Sequence, residues 1–379
     1  MRRWVPAMEI AEQGKQDSVA SPHDALVDEL EKRIEPTDAE AERDLAIGNR
    51  LGNWKSIVSF GLAVVIFVFV ILYLKRNIDP HALWQRLKTL NIGLFLGAFA
   101  VYYLTFPLRG FRWKMLLQNA YRESGSHAVD DMSIRGLTEI IYISWFVNCV
   151  VPAKLGDLYR AYLAKLWARV SWTKTIGTVM AERIVDILVL SFLLALTGFV
   201  AFHNKLGHIS TILLLGLGLA AAGITALVLM KTLSARIRNR LPDRFAHKYA
   251  AFEEGTLHSF KRVPSLLALT AVIWLLEGGR LQLVFLSLGL HSSHISSVPF
   301  APMLFFALGT AVLTTIPFTP GGLGLVEAGL LGMMIYLGIP KVDAAAVVLV
   351  DRVLSYYSVA FFGFLVYLLS KRSHFRHPV

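Results

Sequence analysis

Arg112, Lys154, Arg160, Arg183, Arg280 and Arg352 all lie in or against strongly apolar text, and so do Asp157, Glu182, Asp186, Glu277, Glu327 and Asp351. A charge at the centre of a membrane helix costs about 2.5–3.5 kcal/mol on insertion scales, so each needs a partner or a task. The planar fork of arginine binds phosphate bidentately. These cations are therefore candidates for holding a phosphate-bearing headgroup, and the acids for orienting them, taking the counter-charge, or coupling to protons or other ions. The structural alternative is that the charges pair between helices and hold a bundle together.

Spacing narrows the partners. Glu182 and Asp186 are four residues apart and share a helix face, with Arg183 turned about 100° away. Glu182 falls early in its apolar segment, where a near-interface ion pair is the plain alternative. Glu277 and Arg280, three apart, can pair on their own helix. Asp351 and Arg352 are adjacent, hence splayed toward different partners. Arg109 and Arg112 share a face; near a headgroup region they and Lys114 can snorkel to the surface, the reading favoured for Lys114. Gly321 and Gly322 allow close backbone approach, and a helix starting after them presents free N–H groups that attract anions. Glu327, one turn further on, suits the same dipole.

The elements that would position these groups repeat. Pro152-Ala153-Lys154-Leu155-Gly156-Asp157 and Pro320-Gly321-Gly322-Leu323-Gly324-Leu325 are 168 residues apart, as are Arg112 and Arg280. Glu182-Arg183 follows the first break and Asp351-Arg352 the second, at nearly the same distance. Duplicated charged positions around a Pro/Gly break are the sequence form of a transporter with inverted repeats, its site lying between broken helices.

Composition places the duplication in a bilayer. Of 379 residues 55% are hydrophobic and 17% charged, with mean hydropathy +0.54; a soluble domain carries about 25% charged residues. Apolar segments fall near 56–74, 92–116, 136–151, 175–201, 209–230, 263–288, 299–317, 321–338 and 344–370. The basic stretch 231–262 and the tail 371–379 read as cytoplasmic, and the loops 202–208 and 289–298 as external. The basic residues of 75–91 disagree with this assignment. The stretch 136–168 must then begin and end inside, as a hairpin broken at Pro152. The stretch 299–338 must begin and end outside, broken at Pro320, as a hairpin or two full spans.

The expectation is an all-α polytopic membrane protein with about six transmembrane helices plus two re-entrant hairpins. Residues 1–54 form a cytosolic extension, 55–208 a first repeat, 209–370 a second, inverted one, and 371–379 a basic cytosolic tail. No apolar leader is legible in the first 50 residues, and both termini are expected in the cytoplasm of a cell whose inner membrane holds the chain.

Several chemistries have no residues to carry them. The net charge is +11, but residues 1–54 hold 7 basic and 12 acidic residues, leaving 31 and 15 elsewhere. Those basic residues flank apolar spans, which fits anionic lipid and speaks against nucleic acid. No GxxxxGK[ST] loop supports ATP-driven pumping. The lone Cys149 excludes a disulfide framework, and His291 and His294 sit in a Ser-rich loop without further metal ligands. No cofactor, catalytic nucleophile or oligomeric state is indicated.

Pro107–Leu117 (PLRGFRWKMLL), Asn148–Leu163 (NCVVPAKLGDLYRAYL), Glu182–Leu188 and Pro317–Leu330 (PFTPGGLGLVEAGL) resemble the flippase-like membrane domain of lysylphosphatidylglycerol synthases, over roughly residues 55–370. The resemblance implies two re-entrant hairpins and movement of polar-headgroup lipids between leaflets. It carries the family's arginines, acids and glycines onto Arg112, Arg160, Glu182, Arg183, Gly321, Gly322, Glu327 and Arg352. Asp157 departs from it, since the resemblance implies Glu there in many relatives; Asp keeps the charge but shortens its reach. The soluble aminoacyl-transferase domain has no counterpart, so synthase activity is not implied. A lipid flippase is the leading expectation; a membrane enzyme of headgroup modification, or a scaffold for glycolipid synthesis, is the alternative.

Overall fold

The computed structural model describes residues 78–151, 154–202, 206–290, 300–315 and 319–370, with Val65, Leu72 and Arg76. The extension 1–54, the segment 56–74, Pro152, His291, His294 and the tail 371–379 lie outside or almost wholly outside the described residues. Every described secondary-structure element is helical.

Short helix α1 (Pro80–Lys88) starts on Asp79, whose side chain accepts from His81 N, with Pro80 in the first turn where its missing N–H is harmless. Helix α2 (Ile92–Glu123) is capped by Asn91 and runs through Pro107. Helix α3 (Ile134–Val150), capped by Ser133, stops when Val151 turns extended, the conformation a following proline demands. Lys154 adopts a left-handed conformation (φ 54°) and opens α4 (Leu155–Ala168). Helices α5 (Trp172–Phe202), α6 (Leu206–Arg240), α7 (Asp243–Leu257) and α8 (Val263–Ser287) follow.

Helix α9 (Phe300–Thr315) leads toward a 3-10 turn at Pro320–Gly322 and then α10 (Leu325–Tyr336). The last span combines α11 (Lys341–Arg352), a π-helical turn (Val353–Tyr357) and α12 (Ser358–Leu369).

Among the described residues five spans are long and apolar enough to cross a membrane: α2, α5, α6 from Ser210, α8, and Lys341–Leu369. This is an all-α polytopic membrane protein. Helices α3 and α4 have 17 and 14 residues, and α9 and α10 have 16 and 12. At 1.5 Å per residue the longest reaches about 26 Å, short of a hydrocarbon core of about 30 Å. The arm after Pro320, long enough to span when read as apolar text, is shortened by the glycine-rich break, since regular helix starts only at Leu325. Gly321, Gly322 and Gly324 take φ of 56°, 72° and 83° there, and end regular helix.

Two further expectations change. The basic stretch 231–262 is mostly helix, since α6 continues to Arg240 and α7 follows at once. Glu182 is not near the start of its helix. Helix α5 begins at Trp172, which puts Glu182 about 15 Å in.

Helices α2 and α8 pack together at the centre, α5 lies against both, and α12 lies on α3. The α3–α4 pair is held close by Gly156, where any Cβ would strike the Ser144 carbonyl and the Asn148 side chain. Helix α6 instead turns Leu214, Leu217 and Ile224 outward, as a lipid-facing helix does.

Candidate functional site

Arg112 is the deepest node. Only 1% of it is exposed, so it does not snorkel, and its fork is spent on carboxylates. Nη1 donates to Asp186 Oδ1 at 2.5 Å and Nη2 to Asp186 Oδ2 at 3.1 Å. Nη2 also donates to Glu182 Oε1 at 2.7 Å, and Nη1 to Thr270 Oγ1 at 2.9 Å. Helix periodicity explains the first two partners: the i, i+4 face of Glu182 and Asp186 is the face α5 turns to α2. The other oxygen of Glu182 lies 3.0 Å from Arg160 Nη1. Arg160 is 2% exposed and rests over the Trp113 ring, 5.0 Å from its centroid. Trp113 is in turn anchored by its indole N–H on Thr178 Oγ1 at 3.2 Å.

Arg183, off that face, turns to α4. It donates to both oxygens of Asp157, at 3.0 and 2.9 Å. Its side chain is 31% exposed and that of Asp157 13%. The Lys154 side chain, one turn before Asp157, makes no hydrogen bond or ion pair among the described residues; the charges acting on it are those of Arg183, Asp157 and Asp186. The sequence-predicted Arg112, Arg160, Arg183, Asp157, Glu182 and Asp186 therefore form one network, with Lys154 at its edge.

A second network lies between α2, α8 and α11. Glu277 receives Arg109 Nη2 at 3.0 Å and Arg280 Nε at 3.0 Å. Arg280 also binds Asp351, which lies 3.4 Å from Ser355 Oγ. Beside it, Arg352 Nε donates to Glu327 Oε1 at 2.8 Å and Nη2 reaches the Gly321 carbonyl at 3.4 Å. Glu327 Oε2 accepts from Gly324 N at 2.7 Å, closing the start of α10. Asp351 and Arg352 are splayed as their adjacency demands. Gly322 reaches none of these groups: a Cβ there would meet Val326 and Thr314.

The repeat reappears as contacts, its partners 168 to 170 residues apart. Arg112 with Glu182 matches Arg280 with Asp351, and Arg183 with Asp157 matches Arg352 with Glu327. Arg109 and Glu277 stand at the offset itself and touch each other. So do the positions of Tyr102 and Thr270: Arg112 donates to Thr270, while Arg280 lies 5.5 Å over the Tyr102 ring.

Sequence reasoning left several members out. Arg109, buried at 4%, is read there as a snorkelling candidate. It lies over the Trp145 ring at 4.8 Å and bonds Glu277. Tyr356 covers Arg352 at 4.7 Å and donates to the Cys149 carbonyl at 3.0 Å. That bond ties the end of α3 to the second break. Gly321 accommodates it, since a Cβ there would lie 2.5 Å from the Tyr356 ring. Trp113, Trp145, Tyr102 and Tyr356 carry no charge signature; the available signal was that Trp113, Tyr102 and Tyr356 stand one to seven positions from an arginine, whereas Trp145 offered none.

Fold and site together define a membrane protein with arginine–carboxylate networks buried in its core. The model of the lysylphosphatidylglycerol synthase transmembrane region matches residues 58–363, and the chain belongs to that family. A UPF0104 membrane protein of Methanocaldococcus jannaschii is 31% identical over 235 residues, covering 62% of this chain and 97% of that protein. Another, from Pyrococcus horikoshii, is 23% identical over 349 residues, covering 82% and 97%. The glycosyltransferase AglD of Haloferax volcanii is 26% identical over 341 residues, covering 80% of this chain and 52% of that protein. No solved structure matches the chain.

Proposed function

We propose that the protein is a flippase that moves a phosphate-bearing lipid headgroup between leaflets of the cell membrane. The observation that carries this reading is the partly open Arg183–Asp157 pair beside the unpaired Lys154, at the mouth of an otherwise buried charge network. In this reading α3–α4 and α9–α10 are re-entrant hairpins from opposite faces, because their arms fall short of the hydrocarbon thickness. The repeats 55–208 and 209–370 are inverted, and both termini are cytoplasmic. A headgroup phosphate replaces a carboxylate on the arginine fork, and the freed acid pairs with the arginine again when the lipid leaves. Asp157, Glu182, Asp186, Glu277, Glu327 and Asp351 are the groups through which proton or ion coupling would act. The acyl or prenyl chains stay in the bilayer.

The test is leaflet exchange of fluorescent lipids in proteoliposomes. Protein-dependent translocation is expected, and Arg183→Ala should reduce it by about tenfold or more, the size of one lost charge-assisted contact. No translocation of any lipid class would overturn the function. Translocation unchanged in Arg183→Ala and Arg352→Ala would overturn the site.

The likeness to the glycosyltransferase AglD favours a second reading, a membrane partner in glycolipid synthesis without transport of its own. That reading predicts glycolipid yield in cells that depends on this protein, with no leaflet exchange by the purified chain. A headgroup-modifying enzyme would instead leave a covalent mass change in lipid extracts.

A further inference from the structure

We infer that the π-helical turn of the last span is a hinge that links the two breaks, so that movement at one is transmitted to the other. The hinge is argued from the chain's own geometry; its effect on lipid movement rests on the flippase reading.

The turn Val353–Tyr357 departs from α-helix by one residue. The Ser358 N–H bonds the Val353 carbonyl, five residues back, where an α-helix would bring it to Leu354. Hydroxyls take carbonyls at this point. Ser358 Oγ donates to the Leu354 carbonyl, and Tyr102 Oη donates to the Ser355 carbonyl at 3.1 Å. The one hydroxyl proton of Ser358 is then in use, so Tyr103 Oη donates to Ser358 Oγ, 2.8 Å away. Tyr142 Oη in turn donates to Tyr103 Oη at 2.9 Å. A chain of hydroxyls thus runs from α3 through α2 into the turn.

Helix α2 is weakened at the same level. Pro107 lies inside it and has no N–H to give the Tyr103 carbonyl. Tyr103 therefore stands at the irregularity of its own helix while its hydroxyl reaches the irregularity of the other. A proline and a π turn are the places where a helix bends most easily, and here they face each other.

What the turn joins is a separate observation. Before it, Asp351 and Arg352 hold Arg280 and Glu327, at the second break. Within it, Tyr356 covers Arg352 and donates to the Cys149 carbonyl at the end of α3. Beyond it, α12 lies on α3, the arm that leads to the first break. Gly363 sits so close that an added Cβ would stand 2.6 Å from the Phe146 Cβ, and Ser370 Oγ donates to Glu139 further along the same pairing. Helices α12 and α3 are therefore coupled, and the turn connects them to the second network. One residue of register is worth about 100° of helix rotation, so a small change in the turn is enough to shift α3 against Arg352.

The experiment uses the full chain in phosphatidylcholine vesicles. It follows maleimide labelling of Cys149, the single thiol, amide hydrogen exchange over residues 350–360, thermal unfolding, and leaflet exchange of fluorescent-acyl phosphatidylglycerol. Tyr357 is 46% exposed and its ring touches Tyr356. Deleting it removes the extra residue and keeps α11 and α12 on their present faces. The deletion variant should unfold at no lower temperature than the parent. Its Cys149 labelling and its amide exchange should be at least about fivefold slower, and its lipid movement at least about tenfold slower. Tyr102→Phe and Tyr103→Phe loosen the turn and should speed labelling by about fivefold, which corresponds to about 1 kcal/mol for one lost hydrogen bond. Opposite changes mark a hinge, because plain damage to the fold would speed labelling in all three variants.

Labelling unchanged in both tyrosine variants overturns the inference. So does a folded deletion variant that labels or moves lipid as fast as the parent. Where the deletion variant does not fold, the tyrosine variants decide by the same criterion. Labelling that shifts as expected in a parent that moves no lipid overturns the flippase reading alone.

Discussion

The two breaks carry the same parts in different states. Near Pro152 an arginine from α5 clamps Asp157, and near Pro320 an arginine from α11 clamps Glu327. Arg183 is 31% exposed and stands next to an unpaired lysine. Arg352 and Glu327 are each 7% exposed, covered by the Tyr356 ring, and the freed backbone is occupied: Glu327 takes Gly324 N and Arg352 takes the Gly321 carbonyl. The first break keeps a partly exposed clamp, and the second is satisfied by its own chain. Equivalent groups in two environments teach that side-chain identity alone does not set how exposed an ion pair is or whether its neighbours are spent.

Removing the node common to the first network should have the largest effect. Arg112→Ala leaves Glu182 and Asp186 facing each other's charge in the core, a loss of about 3–5 kcal/mol for a broken buried pair. Thermal unfolding in detergent should show a large drop, with little folded protein recovered. A variant as stable as the parent would mean the network is not a structural node.

The comparison between the breaks is sharpened by matching variants. Arg352→Ala should destabilise by about 3 kcal/mol, as a buried pair does. Arg183→Ala should cost about 1 kcal/mol or less because solvent screens its pair, yet it should impair transport more. Equal losses of stability would erase the distinction between a sealed and an open half.

Gly321→Ala forces a side chain into left-handed backbone, about 1–2 kcal/mol, and against the Tyr356 ring. Tyr356→Phe removes only the bond to the Cys149 carbonyl, about 1 kcal/mol. Both should speed maleimide labelling of Cys149, the single thiol in the chain, with the glycine variant faster. Unchanged labelling in both would show that this contact does not close the second break.

The smallest effect belongs to Asp157→Glu. The longer side chain keeps the charge and the Arg183 clamp, so stability should change by no more than about 0.5 kcal/mol. A large loss would show that the two-oxygen geometry on Arg183 tolerates no change of reach.

Much of this was legible before folding. In a bilayer every helix satisfies its own backbone, so hydropathy alone marks the spans, and Pro152 and Pro320-Gly321-Gly322 mark the interruptions. Local spacing predicts that Glu182 and Asp186 act together, that Glu277 can meet Arg280, and that Asp351 and Arg352 part company. Element limits were less legible. The apolar text after Pro320 reads as one segment, while positive φ at Gly321, Gly322 and Gly324 shortens the helix that forms. The basic stretch after Met230 reads as a loop, though its residues are good helix formers and continue α6.

What the sequence by itself determined is the membrane class, the places where charge enters the core, and the offset that relates them. Only the tertiary structure decided which arginine meets which acid, that Arg109 pairs with Glu277 across α2 and α8, and that one clamp stays open while its equivalent is sealed. The physical reason is range. Hydropathy and helix periodicity act within a segment and are written in it. Ion pairs between helices depend on rotation and depth of whole helices, and several arginines among several carboxylates admit many pairings until packing selects one.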